Sequence, residues 1–291
     1  MELQQYLDDR YNKGRTAHNY ELMIRCYCRD VEQPEQSKYK DVLNYIQKER
    51  SNGKKSGTLM SYLAAIKVYH DYLVVIGTRN DHPCKHMRLK DRVDHRVTTQ
   101  DLLSSTELEL LIGQPVREIT RKPLTVLRDK VIMSLLIYQA LTTKNIIAIE
   151  LNDVDLQNAT LYIRKQTTTL NERTLELHPK QIMLINQYIV GERPALNRKK
   201  SNRLILTRHN KEENGCSVHD VVKVYKPLFP DRVVSPLSIR QSVISNLLKA
   251  GKDIRMVQVF AGHKSPMTTE RYQQTGIEEL TAAVMRYHPL G

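Results

Sequence analysis

Between Asn80 and Thr99 the hydrophobic pattern of this chain dissolves. His82, Pro83, Lys85, His86, Arg88, Lys90, Arg92, His95 and Arg96 crowd out any continuous apolar face. Without such a face neither a helix nor a strand has anything to bury. A chain of 291 residues interrupted here divides into a small unit and a larger one. The expected limits are a domain over residues 1–90, a basic linker over 91–100 and a second domain over 101–291.

The first unit reads as helical throughout, with expected helices over 2–11, 17–29, 39–50 and 58–76. Thr16 and Thr58 are the candidate N-caps of the second and fourth. In the last helix Leu59, Tyr62, Leu63, Ile66, Tyr69 and Leu73 run down one side. Lys54 and Lys55 sit at its mouth, where backbone N–H groups and the helix dipole suit a DNA phosphate. A solvated lysine turn is the plainer alternative. Arg92 and Arg96, in the linker, are candidates to follow a nucleic-acid backbone, against a linker charged only for solubility.

The second unit mixes patterns. After Arg128-Asp129-Lys130 the sequence is almost unbroken apolar to Leu141, which predicts a buried core helix. Residues 142–145 break it, and a short helix over 146–151 is closed by 152–155. Two alternating runs, 160–164 and 173–177, predict a hairpin joined through 166–171. A helix is expected over 180–190, a loop over 191–202 and a helix over 218–228. From Pro236 onward Ile239, Val243, Ile244, Leu247 and Leu248 share one helical face, with Gly251 as its C-terminal signal. Asp253 caps 254–260, Gly262-His263 turns, and Ser265-Pro266 open a further helix carrying Tyr272. A last amphipathic helix over 277–287 docks either at home or on a neighbouring protomer. The fold class is therefore mainly α: a small helical domain plus a larger α-rich domain with one small antiparallel β-hairpin.

The net charge of +13 is uneven. Residues 1–50 balance nine basic against nine acidic residues, whereas 51–100 hold nine against four. Such an excess favours a polyanionic partner, because each neutralised phosphate releases a counterion. Cys26, Cys28, Cys84 and Cys216 are scattered without zinc-knuckle spacing, so free thiols in a reducing compartment are expected. No apolar run reaches the roughly 18 residues a membrane helix needs, and the polar residues 1–5 carry no signal-peptide core. A cytoplasmic protein is the expectation.

Arg240, His263 and Tyr272 are the candidate catalytic set. His263 follows Arg240 by 23 positions, and Tyr272 follows His263 by nine. An oxyanion clamp, a proton carrier and a nucleophilic hydroxyl are what phosphodiester chemistry needs in the absence of a metal. One turn histidine, or one tyrosine among 15, means little; the three together at these intervals mean more. The segment Arg240 … Ile254-Arg255-Met256-Val257-Gln258 … Gly262-His263-Lys264-Ser265 … Thr268-Thr269 … Tyr272 closely resembles the C-terminal signature of the tyrosine recombinases, or phage integrases. The resemblance is specific over about 35 residues, and the rest of the layout agrees more loosely.

The resemblance implies attack of the Tyr272 hydroxyl on a DNA phosphate, giving a 3′-phosphotyrosine and a free 5′-hydroxyl, with no metal and no nucleotide cofactor. Arg240 resembles the second clamp arginine and His263 the histidine that hydrogen-bonds the phosphate. Lys165 is the candidate for the hairpin lysine that protonates the leaving oxygen, although a gap-free alignment from the Glu172-Arg173 side puts Thr168 there. Two positions depart from the family. Thr142 stands where its first arginine lies, in Gln139-Ala140-Leu141-Thr142 in place of a Gly-Leu-Arg turn, with Asn145 for the usual acidic residue. Leu237 replaces a histidine three residues before Arg240. Lys144, or an arginine from another segment, stands to fill the space. Two functions follow. One is an active site-specific recombinase, of a bacterial mobile element, acting as a homo-tetramer on its own double-stranded DNA site. The other is a catalytically weak or inert relative, acting as an architectural subunit or as partner of a complete recombinase. Exchange of the C-terminal helix between protomers and an accessory DNA-bending protein are further partners that the resemblance implies.

Overall fold

The computed structural model describes residues 2–90, 102–113, 125–166, 170–197, 200–207 and 216–273. The chain separates into two compact units, Met1–Asp94 and His95–Gly291, and each is described by itself. Arg92 and Arg96 lie outside the described residues, as does the expected helix over 277–287.

The first unit holds α1 (Leu3–Tyr11), α2 (Arg15–Asp30), α3 (Tyr39–Ser51) and α4 (Ser56–Val75). Thr16 and Thr58 are not caps: the N-cap positions are Gly14 and Lys55. The reason is the turn before each helix. Asn12 and Lys13 both take positive φ, as does Gly53 at +82°, so the chain reverses within a few residues and each helix begins earlier. Tyrosine fills much of this core, as befits a chain with two phenylalanines and no tryptophan. Tyr27, fully buried, meets Tyr45 edge-on at 5.1 Å and Tyr69 at 6.2 Å, geometries that favour aromatic pairs.

The second unit is built round α6 (Val126–Tyr138), buried over most of its length. Packed about it or leading to it are α5 (Ser105–Gly113), α7 (Thr143–Ala148), α8 (Pro179–Gln187), α9 (Arg193–Leu196), α10 (Cys216–Lys223) and α11 (Pro236–Lys249). Then come α12 (Ile254–Ala261) and a helix over 266–273, α13. The expected hairpin is present as β2 (Thr160–Ile163) and β3 (Arg173–Glu176), antiparallel, with Leu161 opposite Leu175. A short strand β1 (Val154–Asp155) extends it to three strands in the order β1-β2-β3. Residues 154–155 are too few to show a period of two, which is why sequence pattern gave only the end of a helix there.

The loop expected over 191–202 is also corrected in part. A π-turn, Tyr188–Glu192, leads into α9. Pro194 fits α9 because a first-turn residue needs no N–H partner, and buried Arg193 donates to the carbonyls of Ser201 and Arg203 at 2.8 and 2.7 Å. Among the described residues no helix is long and apolar enough to cross a membrane.

Local signals fix the helices that matter most. Ser235 caps α11, its hydroxyl accepting from the Ser238 N–H at 3.0 Å. Asp253 caps α12 by accepting from the N–H groups of Arg255 and Met256 at 2.9 and 3.0 Å. Gly262 ends α12 with φ +71°, a left-handed conformation natural to glycine.

Candidate active site

Arg240, His263 and Tyr272 meet at one place. Arg240 projects from α11 into the core, 4% exposed. One of its nitrogens, Nη1, donates to the carbonyl of Ala140. The other, Nη2, donates to the carbonyl of Ala261 at 2.8 Å and to His263 Nε2 at 3.0 Å. Three segments thus converge on a single guanidinium. Ala140 presents its carbonyl from a left-handed conformation, φ +48°, one that costs an alanine about 1 kcal/mol or more.

Those bonds assign the imidazole. A guanidinium only donates, so His263 Nε2 accepts, and the ring proton sits on Nδ1, which faces Thr269 Oγ1 at 3.0 Å. His263 is 5% exposed. Burial, reinforced by Arg240 and Arg173, pushes its pKa down to about 4. The imidazole is therefore neutral at pH 7. Its ring lies nearly parallel to that of Tyr272, 12° apart with centroids at 6.0 Å. Tyr272, on α13, is 8% exposed. Burial raises the pKa of its phenol, while Arg240 and Arg271 act in the opposite direction. Desolvation holds the proton on, and the two cations favour its departure.

Sequence reading passed over Arg173. It comes from β3, 7% exposed, where it points inward with Leu175. Its Nε donates to the carbonyl of Phe260 at 2.7 Å. A Cβ built on Gly262 would stand 2.3 Å from its Nη1, so the guanidinium lies directly against the glycine of the His263 turn. Burial first, and Arg240 second, pull its pKa down to about 10. The legible signal was a charge at an inward position of an alternating strand.

Of the other expected positions, Thr142 caps α7. The Asn145 N–H donates to its hydroxyl at 3.2 Å, and the hydroxyl donates to Asn145 Oδ1 at 2.8 Å. Lys144 is exposed. Leu237, in the first turn of α11, is 61% exposed. Lys165, just past the end of β2, is also exposed, and Thr168 lies outside the described residues. In the first unit the Lys54 amine pairs with Glu49 at 3.2 Å and lies 5.3 Å from the Tyr62 ring centre. Lys55 is exposed at the N-cap of α4.

The depressed histidine pKa has a consequence for stability. A neutral buried imidazole binds fewer protons than the same group unfolded, so the folded state gains as pH rises. The full contribution is present above the unfolded value of 6.5 and is lost as pH falls from there towards about 4. His70, buried in the first unit, is shifted to about 4 in the same direction, mainly by burial. Each should cost roughly 1.4 kcal/mol per pH unit through that window. Melting temperature measured from pH 7.5 to 4.5 is expected to be level above 6.5 and to fall below it. A level profile throughout would contradict the burial of these two rings in neutral form.

Comparison with known proteins adds an independent observation. The phage integrase family profile matches residues 103–278. The tyrosine recombinase XerD of Lacticaseibacillus casei is 23% identical over 292 residues, covering 98% of this chain and 97% of that protein. The tyrosine recombinase XerC of Natranaerobius thermophilus is 28% identical over 195 residues, covering 65% of this chain and 63% of that one. Among solved structures, XerH site-specific recombinase bound to palindromic difH substrate matches with TM-score 0.70 at 16% identity, covering 90% of this chain and 76% of that one. A lambda integrase dimer bound to a COC′ core site matches with TM-score 0.67 at 13% identity, covering 92% of each. At these identities the structural matches speak to fold alone, and the fold they share is the mainly α arrangement with a small antiparallel sheet described above.

Proposed function

The chain belongs to the phage integrase family, and from that premise we propose that it cleaves and rejoins double-stranded DNA through a phosphotyrosine at Tyr272. The observation that carries the reading is the bonded set Arg240–His263 with Tyr272 parallel to the imidazole. Tyr272 Oη attacks phosphorus, the new O–P bond forms on the 3′ side, and the bond to the 5′-oxygen breaks. Arg240 balances the charge gathering on the non-bridging oxygens, where a guanidinium fork fits better than an ammonium. His263 begins neutral, its Nε2 lone pair accepting from Arg240. As Arg240 turns its N–H groups to the entering phosphate, Nε2 is released to take the phenol proton and then donates it to the same phosphate, while Thr269 keeps Nδ1 oriented. Lys165 supplies the proton for the departing 5′-oxygen. The basic excess of the chain supports a DNA partner.

The finer parts of this reading are a bacterial mobile element as the setting, tetrameric synapsis, exchange of the segment 277–287 between protomers and an accessory DNA-bending protein. They rest on the resemblance to the family. A second reading has its own observation. Thr142 is spent on a helix cap where the family carries an arginine, and this favours a catalytically weak subunit that binds DNA beside a complete recombinase.

One experiment separates the two. The full chain selects a binding site from random-sequence DNA, and duplexes nicked at stepped positions across that site are incubated with it. A covalent adduct mapped by mass spectrometry to the peptide containing Tyr272 is expected. Tight binding with no adduct at any nick position would establish the second reading instead.

A further inference from the structure

Thr142 removes one guanidinium from a site whose chemistry calls for two. Nothing at 142–145 restores it: the Thr142 hydroxyl is engaged with Asn145, and Lys144 is exposed. A second buried guanidinium, Arg173 on β3, lies against Gly262 of the same turn and acts electrostatically on His263. Arg173 Nε is held by the Phe260 carbonyl, and Nη1 reaches the Asn171 carbonyl at 3.4 Å. Its Nη2 is covered and has no hydrogen-bond partner among the described residues.

The charge pattern around it has one sign. Arg173 and Arg240 repel each other, and both act on His263. Neither forms an ion pair with a carboxylate among the described residues. Both reach the last two carbonyls of α12, Arg173 that of Phe260 and Arg240 that of Ala261, and their other partners are neutral as well: the Asn171 and Ala140 carbonyls and His263 Nε2. The partial negative charge of a helix C-terminus offsets a fraction of two full cations. Burying a guanidinium without a counter-anion is costly, and an unpaired buried donor adds to the cost. Such a pair is complementary to one ligand class, an anion offering several acceptor oxygens to two forks at once.

We propose that Arg173 is the second guanidinium of the phosphate clamp, with Nη2 donating to a non-bridging oxygen of the scissile phosphate in place of the arginine that Thr142 displaces. This rests on the phosphotyrosine reading above. Arg173 makes and breaks no bond in the reaction; it supplies charge and one donor. The bonds from Nε and Nη1 keep the guanidinium plane fixed, and phosphate entry uncovers Nη2.

The probe is the selected duplex, nicked so that cleavage traps the adduct, made once with an ordinary phosphate at the scissile position and once with a methylphosphonate. The methylphosphonate lacks one non-bridging charge, so it lessens the need for a second cation. Arg173→Gln and Arg173→Lys are compared with wild type for duplex affinity and adduct rate. Lysine keeps a charge and one donor for the Phe260 carbonyl, so it serves if the glutamine variant fails to fold. Expected are little change in affinity and an adduct rate lowered about 10²-fold or more in Arg173→Gln, less in Arg173→Lys. The methylphosphonate should restore either variant by about tenfold or more relative to wild type. A variant that cleaves ordinary phosphate at the wild-type rate overturns the proposal. So does a slow variant that the methylphosphonate fails to help, which is what a merely structural arginine gives, and so does failure of both variants to fold. Wild-type protein that binds the duplex without forming an adduct overturns the phosphotyrosine reading itself, a result distinct from all of these.

Discussion

Alanine at position 240 is expected to abolish strand cleavage and to loosen the fold together. The Arg240 guanidinium bonds to the Ala140 carbonyl, the Ala261 carbonyl and His263 Nε2. All four residues are buried. Deleting the side chain strands two buried carbonyls and an imidazole nitrogen, and each unsatisfied group costs about 1–3 kcal/mol. Removal of a buried cation from a positive cluster offsets part of this, since Arg173 loses a repulsive neighbour. A net loss on the order of a few kcal/mol follows. The effect on chemistry is larger, about 10³-fold or more, the scale on which an arginine acts in phosphoryl transfer. Arg240→Lys separates the two roles. It keeps a charge and a donor, so it recovers much of the stability, but it lacks the fork and stays slow. Urea unfolding read beside adduct formation tests both. An alanine variant that unfolds at the wild-type midpoint would contradict the bonding described for this residue.

Gly262→Ala is the second substitution with a large expected effect. Two costs fall on one methyl group. The backbone sits at φ +71°, a region costly for any residue with a Cβ, by about 1–2 kcal/mol. The new Cβ would also stand 2.3 Å from Arg173 Nη1 and 2.8 Å from its Cζ. A flexible side-chain end could step aside cheaply, but this one is buried and tied to the Phe260 carbonyl. Moving it breaks that bond and leaves a guanidinium badly placed in the core, about 1–3 kcal/mol more. The variant is expected to lose on the order of 3 kcal/mol and, because His263 follows Gly262 directly, to misplace the imidazole. A Gly262→Ala protein with wild-type melting temperature and adduct rate would show that Arg173 is not seated against this turn.

Those two residues illustrate what sequence could and could not reveal. The helices and the turn that carry Arg240, His263 and Tyr272 are legible because local signals mark them. Ser235 caps the first helix, Asp253 the second, and Gly262 stops the chain where the histidine must turn. The hairpin was legible from alternation, and its inward residues Leu161, Ile163 and Leu175 are buried as that alternation requires. Thr16 and Thr58 misled because good capping residues also occur inside helices when a tight turn just before moves the start. The seat of Arg173 against the Gly262 turn was not legible. Its seat depends on a carbonyl 87 residues further along the chain, and no periodicity in β3 encodes that distance. Lys165 stands exposed just past the end of β2, where the alternation that marks the hairpin has stopped.

Thr142 binds Asn145 through both its hydroxyl and its backbone N–H, so its side chain is committed to starting α7. An arginine at position 142 would forfeit a cap worth about 1 kcal/mol before any rate could be gained, and would add a cation to a unit that already buries Arg173 and Arg240 without a carboxylate partner among the described residues. A gain of charge at position 142 would thus begin from a loss of local stability, whereas a change around Arg173 leaves the α7 cap intact.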